Sequence, residues 1–457
     1  MTAHPNKIYQ EFLQKLTRKN IQYAILRDDI TSKAGLREVD LLVNPAQIKL
    51  LAQTAGTAGF FMIKDGYLNP GKKVFLRYES GVSYLLDIHE LMVYRGLEFM
   101  DSTQALRNRV RHNGFYYLKK EDFVLGLLFH NILAKKEIQP IHHVILERSL
   151  EEYLDRNYIE RAAGRFGMLE VFDQVASQIA AACENPPIIG TLRMLALARL
   201  KRRPANIFRV FRTRFRYLGT YFFGRKRGIV IAFIGPDGVG KSTVIEYVRD
   251  ILRQNGLSTQ VAYLGPWGSS LLKLKKIFSW LNAIPYRADY KEFYAGKRQE
   301  KPGKLTGFEK WKFFIRSFIY YLFLILEMWA RWWLRVLPAL RQGKIVLADR
   351  YIYDILTGYK NRPMDYHVAI RAYICKNYPR PEIGILLDAE PDIIFSRKPQ
   401  LSRAQLQHSR GLYHEIATEN NFPILDTSQS AEQTRSQFKD KFMPIIIDIL
   451  QRRTLNL

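Results

Sequence analysis

IVIAFIGPDGVGKSTVIEYVRDILRQNG, residues 229–256, joins a continuous apolar run, a glycine-rich turn and an amphipathic helical pattern. Ile229–Ile234 carries no polar side chain, which suits a strand buried on both faces, as in a parallel sheet. The turn, Gly235-Pro-Asp-Gly-Val-Gly-Lys-Ser-Thr243, fits G-x-x-x-x-G-K-[ST] at every fixed position. Its glycines let backbone N–H groups close around phosphate oxygens where a Cβ would intrude. The following helix turns its free N–H groups and positive dipole end toward the same anion. Lys241 places a point charge on the outer phosphates, and the Ser242 hydroxyl is suited to ligate Mg²⁺. The bland alternative is a glycine turn that binds nothing, but strand, turn and helix occur here in the required order. A nucleotide site is therefore expected at Gly235, Asp237, Gly238, Val239, Gly240, Lys241, Ser242 and Thr243, with ATP and Mg²⁺.

Around this stretch the chain from Gly228 onward alternates β-branched runs (IVIAFIG, KIVLAD, EIGILLD) with long helical patterns. That alternation predicts an α/β domain with a parallel sheet and crossover helices over 228–457. Three pieces carry a family resemblance: G-x-D-G-x-G-K-S-T with Asp237 inside it, GKIVLADRYIYD (343–354), and EIGILLDAEPDIIFSRK (382–398) followed by SRAQLQHSRGLYHEIA and FPILDTS. In this order they resemble the thymidylate kinase family of nucleoside monophosphate kinases.

The resemblance implies a phosphotransferase with a P-loop kinase fold. It would have Asp349 close a strand beside the loop and help hold Mg²⁺. Arg350 would clamp the acceptor's anionic group, and Asp237 would face the acceptor. Arg397 and Lys398 would open an arginine-bearing lid, with Arg403 and Arg410 as further candidates. The catalytic set is then Lys241, Asp349, Arg350 and Arg397, and the metal set Ser242 and Asp349. Phosphoryl transfer is mostly positioning and charge neutralisation, so such a set is sufficient in kind. The family's helix before Asp-Arg-Tyr carries a base-reading arginine. Here LFLILEMWARWWLRVLPALRQ stands in its place, with Met328 near that position and Arg331 one turn away. A long insertion (AYLGPWGSSLLKLKKIFSW and YKEFYAGKRQEKPGK) precedes it. The expected acceptor is therefore a nucleoside monophosphate or another small phosphorylated or hydroxylated metabolite.

Residues 1–120 have a different texture, with short β-rich runs at 22–27, 38–43, 73–78 and 82–90 and a Ser80-Gly81 hairpin turn. On EVDLLV, Glu38 and Asp40 are two apart and share one face of a strand, and Asp87 in YLLDIHE suits a neighbouring strand. Carboxylates converging this way can hold two Mg²⁺ ions. The pattern resembles the nucleotidyltransferase fold, although the family's Gly-Ser before the carboxylate pair is replaced by Leu26-Arg27-Asp28. Glu38, Asp40 and Asp87 are the metal candidates. A polar strand face, and a nucleotidyltransferase fold that binds without catalysis, are the two alternatives. His89 and the His142-His143 pair receive no role. Apolar positions at 3.6 spacing in EDFVLGLLFHNILAKK and LEVFDQVASQIAAAC predict a helical annex over 121–198.

Between annex and P-loop domain, a linker at 199–227 holds eleven basic residues, no acid and a run of aromatics. As a helix it would set Arg209, Arg212 and Arg216 on one face. Three readings stay open: Phe208, Phe211 and Phe215 packing on the kinase domain, peripheral contact with an anionic membrane, and, less favoured, nucleic acid. Over all 457 residues, 70 Lys and Arg against 43 Asp and Glu leave a net charge of +27, which favours anionic partners without choosing among them. With 47% hydrophobic and 25% charged residues the composition is globular, and two cysteines exclude a disulfide framework. The polar N-terminal stretch shows no secretory signal, so a cytoplasmic location is expected, with a peripheral place at the inner membrane face if the linker binds lipid. The longest uncharged run in 313–337 is Ser317–Leu326, too short to span a bilayer and read instead as a buried or interfacial helix.

These residues predict an ATP- and Mg²⁺-dependent phosphotransferase acting on a small-molecule acceptor, with a homodimer left open. The alternatives are a nucleotide-binding scaffold or membrane-recruited regulator without turnover, and a bifunctional nucleotidyltransferase/kinase.

Overall fold

The apolar run at 229–234 becomes β10, and the protein divides around it. The structure, a computed structural model, describes residues 5–26, 38–66, 69–180, 189–266, 271–272, 306–357, 367–399 and 401–455. Most of the predicted insertion, and Arg27 and Asp28, lie outside these residues. Two compact units are resolved: Met1–Gly224 with Gln451–Leu457, and Arg225–Leu450.

In the first unit the helices are α1 (Pro5–Arg18), α2 (Ile48–Thr57) and α3 (Ser102–Arg107). The strands are β1 (Tyr23–Ile25), β2 (Glu38–Val43), β3 (Phe61–Asp65), β4 (Lys72–Glu79), β5 (Val82–His89), β6 (Val93–Tyr94), β7 (Leu97–Glu98), β8 (Val110–His112) and β9 (Phe115–Tyr117). The main sheet runs β3-β4-β5-β2-β1-β9-β8. Ser80 (φ 50) and Gly81 (φ 78) turn β4 into β5, both with the positive φ a tight primed turn requires. β2 and β5 pair in parallel with Asp40 opposite Asp87. One face of β2 (Val39, Leu41, Val43) packs with α1 residues such as Phe12 and Leu16. Leu42, on the other face, belongs to a second core built with the annex helices α4 (Lys120–His130), α5 (Pro140–Glu151), α6 (Arg156–Gly164), α7 (Leu169–Ala180) and α8 (Ile189–Lys201).

Most of the basic linker is α9 (Pro204–Phe223), and it packs within this first unit. Its orientation differs from the packing arrangement considered from sequence. Asn206 and Thr213 are buried, whereas Phe208, Phe211 and Phe215 are exposed. Hydrogen bonds from its polar side, rather than burial of its aromatic side, decide how it lies.

The second unit contains β10 (Val230–Ile234), α10 (Lys241–Gln254), β11 (Thr259–Tyr263), α11 (Gly307–Arg331), α12 (Leu337–Arg341), β12 (Ile345–Asp349), α13 (Val368–Asn377), β13 (Ile383–Asp388), α14 (Pro391–Arg397), α15 (Arg403–Asn420), β14 (Ile424–Asp426) and α16 (Ala431–Leu455, the last turn falling in the first unit). The described strands form an all-parallel sheet of order β11-β12-β10-β13-β14. All five β10 side chains are buried, as an apolar run between two helix layers must be. Each Ile or Val there contributes about 1.5–3 kcal/mol by leaving water. From β10 the chain runs out to β11, returns to β12 beside β10, and then crosses to β13 and β14 on the other side, so the strand order switches sides at β10. Open α/β sheets bind ligands at the carboxyl ends of strands beside such a switch.

α11 continues through a π-helical turn (Trp332–Val336) into α12. By length and composition Gly307–Arg341 is apolar enough to cross a bilayer, with about 24% of its most apolar stretch buried. The uncharged run within it ends at Glu327, which pairs with Arg331 inside the fold at 2.8 Å. Its inner stripe, Leu324, Met328, Trp332 and Val336, forms part of the core against the sheet.

Candidate active site

Gly235 follows β10 directly with φ 145, and a Cβ there would lie 2.6 Å from the Leu387 carbonyl oxygen of the neighbouring strand. Glycine is required at this position by contact as well as by conformation. Gly240 (φ 101) caps α10 with no side-chain oxygen, so the first-turn amides point into the loop without a competing hydroxyl. Thr427, just past β14, donates to the Val239 carbonyl at 2.8 Å and ties the loop to the far side of the sheet.

Lys241 opens α10 and is buried, its ammonium donating to the Gly235 and Pro236 carbonyls at 2.9 and 2.8 Å. Nζ also lies 3.9 Å from an Asp237 carboxylate oxygen. Burial first, and the positive charge of Arg350 second, push its pKa down to about 8; the nearby aspartates act in the opposite sense. Ser242 and Thr243 stand exposed in the same first turn.

Arg350 sits one residue past β12 with φ 64, a left-handed conformation costly for a side-chain-bearing residue. That turn aims the guanidinium back over the loop, where it pairs with Asp237 and, at 2.5 Å, with Asp354. Asp354 is buried and accepts a further hydrogen bond from Tyr413 at 3.0 Å. Burial alone would lower the Arg350 pKa, but Asp354 first, then Tyr413 and Asp237, outweigh it and raise the pKa above its ordinary value. Asp349 ends β12 in register with Phe233 of β10 and Tyr263 of β11, so its carboxylate belongs to the carboxyl edge of the sheet. A serine hydroxyl in the first turn of α10 and a carboxylate at that edge form a hard oxygen donor set, which suits Mg²⁺.

Arg397, the last residue of α14, donates to the Thr427 carbonyl at 2.9 Å, and its guanidinium comes within 4.0 Å of where a Gly240 Cβ would be. The structure thus brings Lys241, Asp237, Arg350 and Arg397 around one loop. Arg403 and Arg410 are engaged elsewhere. Arg403 pairs with Asp392, and Arg410 holds Asp388 at 2.8 and 2.9 Å and Glu390 at 3.0 Å. Arg331 is buried, bonded to Glu327 and to the Gly265 carbonyl at 2.7 Å, with its guanidinium over the Tyr263 ring. Asp354, Tyr413 and Thr427 have no role in the sequence reading. All three stand inside segments quoted above, Asp354 in GKIVLADRYIYD, Tyr413 in SRAQLQHSRGLYHEIA and Thr427 in FPILDTS, but Tyr413 and Thr427 come to the loop from elements far along the chain, and no local pattern assigns them a role.

The first unit places its carboxylates in a second site. Asp40, Asp87 and His89 bring one ligand atom each within 4.8 Å of one another. Lys72 pairs with Asp87 at 2.5 Å, and His89 Nε2 lies 3.4 Å from the other Asp87 oxygen. Glu38 lies at the rim of the same cavity and is exposed, outside this cluster. His89, left without a role by the sequence reading, belongs to it, because alternate residues of β5 share a face. The cavity, about 350 Å³, also takes in Asn69, Phe123, His130 and Lys135. Two carboxylates and an imidazole are a mixed oxygen and nitrogen donor set, which suits Mn²⁺ better than the harder Mg²⁺.

No family model matches the chain. Among curated proteins it is similar to a probable thymidylate kinase of Archaeoglobus fulgidus, 26% identical over 46% of this chain and 93% of that protein. The thymidylate kinase of Finegoldia magna is 25% identical over 49% of this chain and 98% of its own length, and that of Clostridium novyi 23% identical over 44% and 86%. These similarities extend over nearly whole relatives but under half of this chain, a length comparable to the second unit. With its parallel sheet and its P-loop, the chain carries a kinase-like domain of the phosphotransferase type.

Proposed function

We propose that the second unit is an ATP- and Mg²⁺-dependent phosphotransferase whose acceptor is a nucleoside monophosphate or another small phosphorylated or hydroxylated metabolite. The observation that carries this reading is the convergence of Lys241, Arg350, Asp237 and Arg397 on one glycine loop where the strand order switches sides. The loop amides and Lys241 bind the donor phosphates. Arg397, beside Gly240, neutralises charge on the donor side as the phosphoryl group moves. Arg350 is the acceptor-side cation. In the structure it is paired with Asp237, so an arriving anionic group competes with that carboxylate while Asp354 and Tyr413 keep the guanidinium aimed. Mg²⁺, held by Ser242 with Asp349 near the loop, would neutralise charge shared between the outer phosphates.

The test is a screen of purified protein with γ-labelled ATP against nucleoside monophosphates, sugars and lipid phosphates. Lys241→Ala should lower transfer by about 10²–10³-fold or more while leaving the circular dichroism spectrum unchanged. Undiminished transfer in that variant, or ATP binding with no acceptor-dependent ADP release in the wild type, rejects the proposal. The second outcome favours a nucleotide-binding scaffold.

The Asp40, Asp87 and His89 cluster supports a second reading for the first unit alone. It is a divalent-cation site of nucleotidyltransferase-like type, with Asp40 and Asp87 as ligands, His89 in place of Glu38, and Lys72 as a counter-charge that a metal must displace.

A further inference from the structure

Amphipathic helices normally dock by their apolar side. α9 docks by its polar side. Asn206 is 1% exposed, accepts from the Glu98 amide at 3.0 Å, and donates to the Glu98 and Leu200 carbonyls at 3.1 and 3.0 Å. Arg209 pairs with Glu98 at 2.9 Å, and Arg216 reaches Asp65 at 3.2 Å. Thr213 is buried, and Gly96 (φ 88) lets the β6–β7 turn approach so closely that a Cβ would be 3.0 Å from the Val210 Cα. This face is anchored by directional bonds, so the helix cannot roll without leaving buried polar groups unpaired.

The opposite face consequently carries Phe208, Phe211, Phe215, Leu218 and Phe222 outward, at 50–72% exposure. Their spacing of 3, 4, 3 and 4 residues makes one continuous stripe about 20 Å long. At 100° per residue, Arg212 and Arg214 flank this stripe on opposite sides. Both are exposed and have no acidic partner among the described residues. A soluble surface gains nothing from such a stripe.

We propose that α9 is an interfacial helix that docks the protein on an anionic lipid surface, with its phenylalanines in the acyl boundary and Arg212 and Arg214 at the phosphate level. The arrangement of charge selects this occupant. A second copy meeting the stripe by two-fold symmetry would set these arginines against one another. Nucleic acid would meet an apolar centre with nothing to bond its phosphates. A bilayer with acidic headgroups instead offers hydrocarbon beneath the stripe and negative charge along both margins.

The test is co-sedimentation of the full chain with phosphatidylcholine vesicles, with and without phosphatidylglycerol. The wild type should bind the acidic vesicles at low salt. It should lose most of that binding in 0.5 M NaCl, where screening shortens to about 4 Å. Phe208→Ser/Phe211→Ser/Phe215→Ser/Phe222→Ser should abolish binding, and Arg212→Gln/Arg214→Gln should weaken it about thirtyfold. Both variants should keep the wild-type circular dichroism spectrum and melting temperature of the full chain, which verifies that they are folded. Equal binding to neutral and acidic vesicles overturns the proposal. So does absence of binding by the wild type. Undiminished binding by the phenylalanine variant also overturns it and transfers the contact to the apolar stretch of α11. A concentration-dependent dimer that the phenylalanine variant abolishes shows instead that the face joins two copies.

Discussion

With Lys241 on the donor phosphates, as proposed, nucleotide binding should be sensitive to alkali in a way an exposed lysine would not make it. Burial pushes its pKa to about 8, below the ordinary 10.5, so above pH 8 the free site increasingly holds a neutral amine. A bound triphosphate favours the ammonium. The complex therefore takes up a proton there, and the dissociation constant should rise about tenfold for each pH unit between roughly 8.5 and 10.5. For folding, the same group's cost is present below pH 8 and is relieved as pH rises toward 10.5, so loss of affinity in this window cannot be put down to this lysine unfolding the protein. Calorimetry at pH 9 in two buffers of different ionisation enthalpy should show proton uptake on ATP binding; identical heats would refute it. Lys241 was legible because its motif lies within a single strand–turn–helix. The setting of Arg350 was not, since Tyr413 and Asp237 reach it from positions 63 and 113 residues away in sequence, and only the closed sheet supplies them.

The parallel strands around the loop are packed too tightly to tolerate added volume, and β13 shows this most clearly. Gly384 pairs with Ala232 of β10, and a Cβ on it would lie 2.5 Å from the Phe422 ring. Gly384→Ala should therefore cost about 1–3 kcal/mol, a few degrees in melting temperature. Adding Phe422→Leu should recover part of that loss; a single variant as stable as the wild type would show that the ring moves aside freely. The strand itself was readable, because EIGILLD is apolar enough to be buried on both faces. The need for glycine within it was not, because Phe422 lies beyond α15. α9 carries the same lesson further. Its amphipathic pattern was legible, but which side faces inward was decided by Glu98, a partner 108 residues from Asn206. Periodicity identifies faces, whereas hydrogen-bonding partners brought together by the fold choose between them.

Among the described residues, three buried clusters respect the division of the chain: residues 8–200 supply two of them and residues 230–417 the third, with no shared member. Two chemistries in two separately cored units should fail separately. Asp40→Asn/Asp87→Asn replaces the two carboxylates of the proposed cation site in the first unit with near-isosteric amides. In the full chain it should abolish Mn²⁺ binding at that site, read by electron paramagnetic resonance with the P-loop saturated by Mg²⁺ and ATP. Transfer of the γ-phosphate by the same variant should stay within about twofold of the wild type, because the described contacts that hold Lys241, Arg350 and Arg397 come from elements of the second unit itself. Lys241→Ala should do the reverse, losing transfer and retaining Mn²⁺. If the carboxylate variant instead lost γ-transfer more than tenfold while still binding ATP, the two sites would have to be treated as one catalytic system. The first unit would then be a participant in phosphoryl transfer and not a separate ligand-binding module.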